Sequence, residues 1–186
     1  MQIEATKKLF TVDDYYRMAE AGILGPEDRV ELIDGEIIEM SPIGTRHAGC
    51  VNAANAAFSA AFRRRVTVSV QNPLRLSNYT EPEPDLVLLK PRKDSYRGKR
   101  VEGEDVLLVL EAADTTLSYD RDVKLPLYAA ASISEVWIED LQHDLLLVYR
   151  DPQKNTYRTS LSLKRDKSVA VLAFPEVIFK VADLIG

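Results

Sequence analysis

The chain has 186 residues, of which 46% are hydrophobic and 28% charged, with one cysteine and two histidines. That composition excludes a disordered or collagen-like chain, and the lone Cys50 excludes an internal disulfide and a multi-thiolate zinc site. A net charge of −5 argues against a generally basic nucleic-acid binder, because phosphate contacts need Lys and Arg.

In chain order, Thr11 is placed to N-cap a helix over Val12–Ala21, with Asp13 and Asp14 in its first turn and Gly22 beyond its end. Arg29 to Met40 alternates apolar and polar residues around Asp34-Gly35, the strongest short hairpin signal. Ser41-Pro42 ends it. Thr45 to Arg65 is Ala-rich and predicts a long helix. Val66 to Val70 reads as a strand that Pro73 to Leu76 continues after a kink. Pro84–Leu89 and Val106–Glu111 are continuous apolar runs, which suit central strands covered on both faces.

Thr115 to Ala131 is helical by composition, and Pro126 inside it should kink the helix or shift its boundaries. Glu135–Asp140 and Leu145–Arg150 predict a second hairpin, and the tail from Tyr157 to Ile185 holds short strand-like pieces around Pro175. Trp137 reads as core, Cys50 as packing, and His143 as a hairpin-tip residue with no role. No apolar run reaches the roughly 18 residues of a membrane span. Met1 to Phe10 has no signal-peptide core. The expectation is one α/β domain over 1–186, an α+β fold with a mixed sheet, in a reducing cytoplasm.

The two apolar runs carry the chemical signal. Asp85 opens one and Glu111 closes the other. If the strands are antiparallel neighbours, the start of one lies beside the end of the other and the carboxylates converge. Paired acids at buried strand ends need a compensating cation or proton, and hard oxygen ligands favour Mg²⁺ or Mn²⁺. The alternative is two strand-end acids in water. Asp120, Lys124 and Tyr128 share a helix face at intervals of four. Lys124 could reach the acids, or could point outward and pair only with Asp120; on the inward arrangement, truncating it is expected to leave folding nearly intact. Glu31 faces opposite to Val30 and Leu32, toward the same site or toward an exposed hairpin face. His47 is a substrate contact or a polar surface residue.

From Lys90 to Arg100 six cations (Lys90, Arg92, Lys93, Arg97, Lys99, Arg100) stand against Asp94 alone, a net +5 that leaves −10 on the rest. This segment follows the Asp85 strand, so it is expected near the acids, with Tyr96 able to stack on a base.

Glu31-Leu32-Ile33-Asp34-Gly35-Glu36, His47, Pro84-Asp85, Leu110-Glu111, Asp114, Tyr119-Asp120-Arg121, Lys124 to Ala129 and Glu135-Val136-Trp137-Ile138 together resemble the Uma-two family of restriction endonucleases, within the PD-(D/E)XK nuclease superfamily. The resemblance runs from about Thr11 to Gly186. It implies a restriction-endonuclease-like core and a Mg²⁺- or Mn²⁺-dependent endodeoxyribonuclease acting on DNA. Asp85, Glu111 and the Ala112 carbonyl would hold the metal. Ala113 stands where the superfamily usually has a lysine, and Lys124 matches the family's helix lysine. Glu31 matches an early glutamate whose role the sequence does not give. Blunt double-strand cutting would call for a homodimer. The rival function is a nuclease fold that binds nucleic acid or a protein partner without cutting.

Overall fold

The structure is a computed structural model that describes residues 6–25 and 27–186. The expectation that the first ten residues hold no signal-peptide core therefore lies partly outside the described residues, over 1–5. Among the described residues no helix is long and apolar enough to cross a membrane.

Helix α1 (Val12–Glu20) opens with the expected cap. The Thr11 hydroxyl accepts from the Asp14 backbone N–H at 3.1 Å, and the Asp14 carboxylate accepts from the Thr11 N–H at 3.0 Å. The hairpin β1 (Val30–Ile33) and β2 (Glu36–Glu39) turns on Asp34 and Gly35, both at positive φ, 49° and 78°. It forms a two-stranded sheet of its own, tied to the rest where the Glu81 N–H donates to the Leu32 carbonyl at 2.7 Å.

The main sheet has six strands in the order β3-β4-β5-β6-β7-β8. They are β3 (Thr67–Val70), β4 (Leu86–Leu89), β5 (Val106–Ala113), β6 (Glu135–Asp140), β7 (Leu145–Gln153) and β8 (Thr156–Lys164). Only β5 and β6 pair in parallel, and the connection between them carries the second helical layer. The sheet is thus mixed and the fold is α+β, as expected. The even-numbered residues of β4 and β5 (Leu86, Leu88, Leu108, Leu110) pack with Phe58 and Phe62 of α2 (Thr45–Phe62). Their odd-numbered neighbours (Val87, Leu89, Val109) pack with Leu125 and Tyr128 on the opposite face. Continuous apolar runs arise because both faces are covered. Trp137 is fully buried, its ring 5.9 Å from that of Phe58.

The predicted helix over Thr115–Ala131 is α3 (Leu117–Tyr119), a π-turn (Asp120–Lys124) and α4 (Leu125–Ala130) in succession. Pro126 explains the π-turn: it has no N–H to donate, and its ring would clash with the carbonyl of residue 122 in a regular α-helix.

Three expectations are corrected. Pro73 to Leu76 does not continue β3. Gln71 takes φ of 48° and turns the chain out of the sheet, and Arg75 makes only an isolated bridge to Glu102. β7 runs past Arg150 through Pro152, because β6 has ended there and no neighbour needs the missing N–H. The tail opens with the nine-residue edge strand β8, follows with β9 (Ser168–Ala170) and β10 (Ile178–Lys180) around Pro175, and ends in α5 (Val181–Ile185).

Gly35 is the turn position with no room for a side chain. A Cβ there would lie 2.6 Å from the Leu9 Cβ and 3.2 Å from the Phe10 carbonyl oxygen, on a backbone at φ 78°. Gly35→Ala is expected to lower stability by about 1–3 kcal/mol, read as a shift in urea midpoint at constant m.

Candidate active site

The strand register brings the acid pair together. β4 and β5 are antiparallel with Leu86 opposite Leu110, which sets Asp85 across from Glu111 one step on. The Asp85 backbone N–H donates to Glu111 Oε2 at 3.2 Å, and the Ala112 N–H donates to Asp85 Oδ2 at 2.9 Å. The two carboxylates are neighbours at one end of the sheet.

Lys124 reaches them from the π-turn. Its Nζ lies 3.2 Å from Glu111 Oε1 and 3.5 Å from Glu31 Oε2, and the residue is only 6% exposed. The inward arrangement is therefore the one adopted. Tyr128 donates its hydroxyl to Glu111 Oε1 as well. Asp120, also buried, accepts from the Thr116 hydroxyl at 2.6 Å.

Glu31 sits at 2% exposure rather than on an exposed hairpin face. It accepts from Tyr119 at 3.0 Å and from the Glu83 N–H at 3.1 Å. Of the two faces that the period of two leaves open, packing against the helix selects the inner one.

His47 is not a bystander. Its Nε2 lies 2.8 Å from Asp85 Oδ1, and the Gln71 amide donates to the same oxygen at 3.3 Å. The αL backbone of Gln71 that ends β3 also aims this side chain. A histidine in the first turn of a helix that follows the hairpin was the only sequence signal for it; Gln71 had none.

The electrostatics are lopsided. Burial pushes the Glu111 carboxyl well above the usual range, against the pull of Lys124 and with Asp120 and Asp85 adding to the rise. Burial raises Asp120 in the same way, opposed by Lys124. Burial alone would lower Lys124, but Glu111, Glu31, Asp120 and Asp85 outweigh it and hold its ammonium charged above the ordinary lysine range. The Asp85 hydrogen bond raises His47 more than burial lowers it. Glu139, opposite Ala112 on β6, is fully buried with neither carboxyl oxygen hydrogen-bonded among the described residues. Burial, and then the neighbouring Asp85, push its carboxyl well above the usual carboxylate range.

A cavity of about 550 Å³ opens over these groups, with seven carboxyl side chains on its lining against Arg29, Lys124 and His47. The donor set fits a hard divalent cation. Glu111 Oε2 and Asp85 Oδ2 each accept one hydrogen bond and keep a lone pair, whereas Glu111 Oε1 is taken by Lys124 and Tyr128. Among the described residues no set of three His, Cys, Asp or Glu side chains is grouped to hold a metal. The Ala112 backbone stands beside Asp85, to which its N–H donates.

The basic segment is not where its sequence position suggested. Asp85 precedes β4 and Lys90 follows it, so the four strand residues between them set the two about 16 Å apart. None of the six cations lines the cavity. Arg92 pairs with Asp94, Lys99 with Glu104 and Asp105, and Arg100 lies over the Tyr16 ring, while Lys90 donates to the Glu104 carbonyl. Tyr96 packs against the core and donates to the Lys90 carbonyl, so it does not offer a free ring face. Lys93 and Arg97 have no ion-pair partner among the described residues.

Burial of Lys124 changes what its truncation does. Lys124→Met leaves Glu111 and Glu31 buried without their cation, and is expected to cost about 3–5 kcal/mol in denaturant unfolding rather than leave folding intact.

The profile of the Uma2 family, described as "Putative restriction endonuclease", matches residues 12–182. No curated protein matches the chain. The fold is similar to the crystal structure of "a putative nuclease belonging to DUF820 from Anabaena variabilis ATCC 29413", with a TM-score of 0.72 at 15% identity, covering 95% of this chain and 97% of that one. With a match that spans nearly the whole length, from α1 through the acid pair and the Lys124 helix into α5, the chain belongs to the Uma2 family.

Proposed function

We propose that this chain is a divalent-metal-dependent endonuclease that hydrolyses phosphodiester bonds in DNA. The observation that carries the reading is Asp85 and Glu111 side by side at paired strand ends, with a buried lysine 3.2 Å from one of them, at the floor of an open cavity. The family's description and the nuclease-like fold support it.

Asp85 Oδ2, Glu111 Oε2 and the Ala112 carbonyl would hold the metal. A bound Mg²⁺ or Mn²⁺ would supply a Lewis acid that lowers the pKa of water and polarises the phosphate. The protein's own part is orientation and charge. His47, Gln71 and the Ala112 N–H fix the Asp85 carboxylate from both oxygens. Lys124 and Tyr128 fix Glu111. Lys124 keeps its proton, so it stabilises negative charge at the phosphate and does not accept the proton of the attacking water. In the hydrolysis a water oxygen bonds to phosphorus, the phosphorus–oxygen bond to the leaving strand breaks, and that oxygen takes up a proton as the water gives one to solvent.

Incubation of plasmid and single-stranded DNA with Mg²⁺ or Mn²⁺, with and without chelator, tests the reading. Cleavage by the wild-type protein is expected to fall by about 10²-fold or more in Asp85→Ala, together with loss of divalent binding by calorimetry. Metal binding that survives Asp85→Ala, or DNA binding without cleavage in every metal, favours the rival non-cutting function.

The Lys90 to Arg100 segment fits a contact with the DNA backbone away from the cleaved bond, through Lys93 and Arg97. Reversing both to Glu should weaken DNA binding evenly across sequences and flatten the log–log salt dependence by about one unit per lost contact. Unchanged affinity in a filter-binding salt series moves the contact elsewhere.

A further inference from the structure

The cavity has two unlike walls. One is the acid cluster with Lys124. The other is Ile38 and Met40 from the end of the hairpin, with Pro42 and Ile43 from the strap that joins β2 to α2. Ile38 lies directly opposite Glu31 in the hairpin register, so the two share the face turned toward the site. None of these four apolar residues belongs to either hydrophobic core, and Ile43 is 41% exposed. Ile38 and Met40 are half-buried and Pro42 and Ile43 exposed, so this surface lies outside the packed interior. Arg29 stands at the same cavity with Nη1 held by the Ser41 carbonyl at 2.9 Å, which anchors its guanidinium to the strap and leaves other donors free.

An apolar wall a few residues from a phosphate-cutting centre suits the flat face of a nucleobase. A paired base is stacked on both faces and cannot present one to the wall while its phosphate sits at the acids. An unpaired nucleotide can turn out of its strand into a pocket of this kind. The cavity volume of about 550 Å³ is that of a site for one small ligand, not of a duplex groove.

We infer that the cavity takes a single unpaired nucleotide of a DNA strand, with the base laid on Ile38, Met40 and Ile43, the phosphate at Asp85 and Glu111, and Arg29 on a neighbouring phosphate. This deepens the phosphodiesterase reading and rests on it for the cleavage step alone. An unpaired strand needs one site per cut, so one copy of the chain suffices for it.

The test uses the full chain and three oligonucleotides of one sequence with 2-aminopurine at the same position: a single strand, a continuous duplex and a duplex with that base in an unpaired bulge. In Ca²⁺ the 2-aminopurine fluorescence is expected to change on binding the single strand and the bulge but not the continuous duplex. In Mg²⁺ or Mn²⁺ the first two should be cut with kcat/KM at least tenfold above the third. Ile43→Ser combined with Met40→Ser should raise KM for the single strand about fivefold and remove most of the fluorescence change. Both side chains lie outside the cores, so the double variant should keep the wild-type melting temperature. Equal or better cleavage of the continuous duplex, or an undiminished fluorescence change in the double variant, overturns the inference while the nuclease reading stands. Absence of cleavage on all three with the fluorescence pattern intact removes the hydrolytic reading and leaves the nucleotide pocket.

Discussion

One buried ammonium organises the functional end of this fold. Lys124 is held at 3.2 Å from Glu111 and 3.5 Å from Glu31, and those acids come from different sheets. Glu111 lies on a central strand of the main sheet, two residues before its end, and Glu31 belongs to the separate hairpin. Neither carboxylate can be buried unpaired, because a desolvated charge without a partner costs several kcal/mol. The lysine makes both burials possible and thereby fixes where the hairpin sits over the sheet. Tyr119 and Tyr128, one turn to either side along the same helix, donate to Glu31 and Glu111 respectively. Helix, hairpin and central strand are locked by one polar knot.

The helix presents that lysine through a local irregularity. A regular α-helix from Leu117 to Ala130 would need an N–H at residue 126, where proline has none. The π-turn over Asp120–Lys124 accommodates the proline and still leaves Asp120, Lys124 and Tyr128 all buried. A single-turn π-bulge costs hydrogen-bond quality and recurs at functional sites. Here its position coincides with the residues that face the acid pair.

Much of this was legible in the residues themselves. Asp34-Gly35 announced its hairpin because only a primed turn matches strand twist, and the two apolar runs announced interior strands. The antiparallel pairing of those runs was only a condition in the sequence; the register Leu86 opposite Leu110 supplies it, and with it the meeting of Asp85 and Glu111. Other features were hidden for physical reasons. The sequence period put Glu31 on one hairpin face but could not say which face packs. His47 and Gln71 act on Asp85 across 38 and 14 residues, and neither separation has a local signature. The basic segment was misplaced because adjacency along the chain was taken for adjacency in space. A strand is a rigid rod of about 3.3 Å per residue, so residues just after it lie at the far end from those just before.

That misplacement sharpens the charge problem the site must solve. Seven carboxyl groups line the cavity against Lys124, Arg29 and His47, and the +5 segment lies a strand length away. A phosphodiester entering such a cavity meets like charge, and the protein offers no local cations in sufficient number to offset it. On the nuclease reading, a divalent cation held by Asp85 and Glu111 would be counter-ion as much as Lewis acid, offsetting the charge of the acids that line the cavity. The apolar strap then has a complementary part, since contact with a neutral base is the one form of binding to DNA that an acidic cavity does not oppose. On that reading, cation, lysine and apolar wall would divide among themselves the work that a basic cleft would do in a protein of opposite charge.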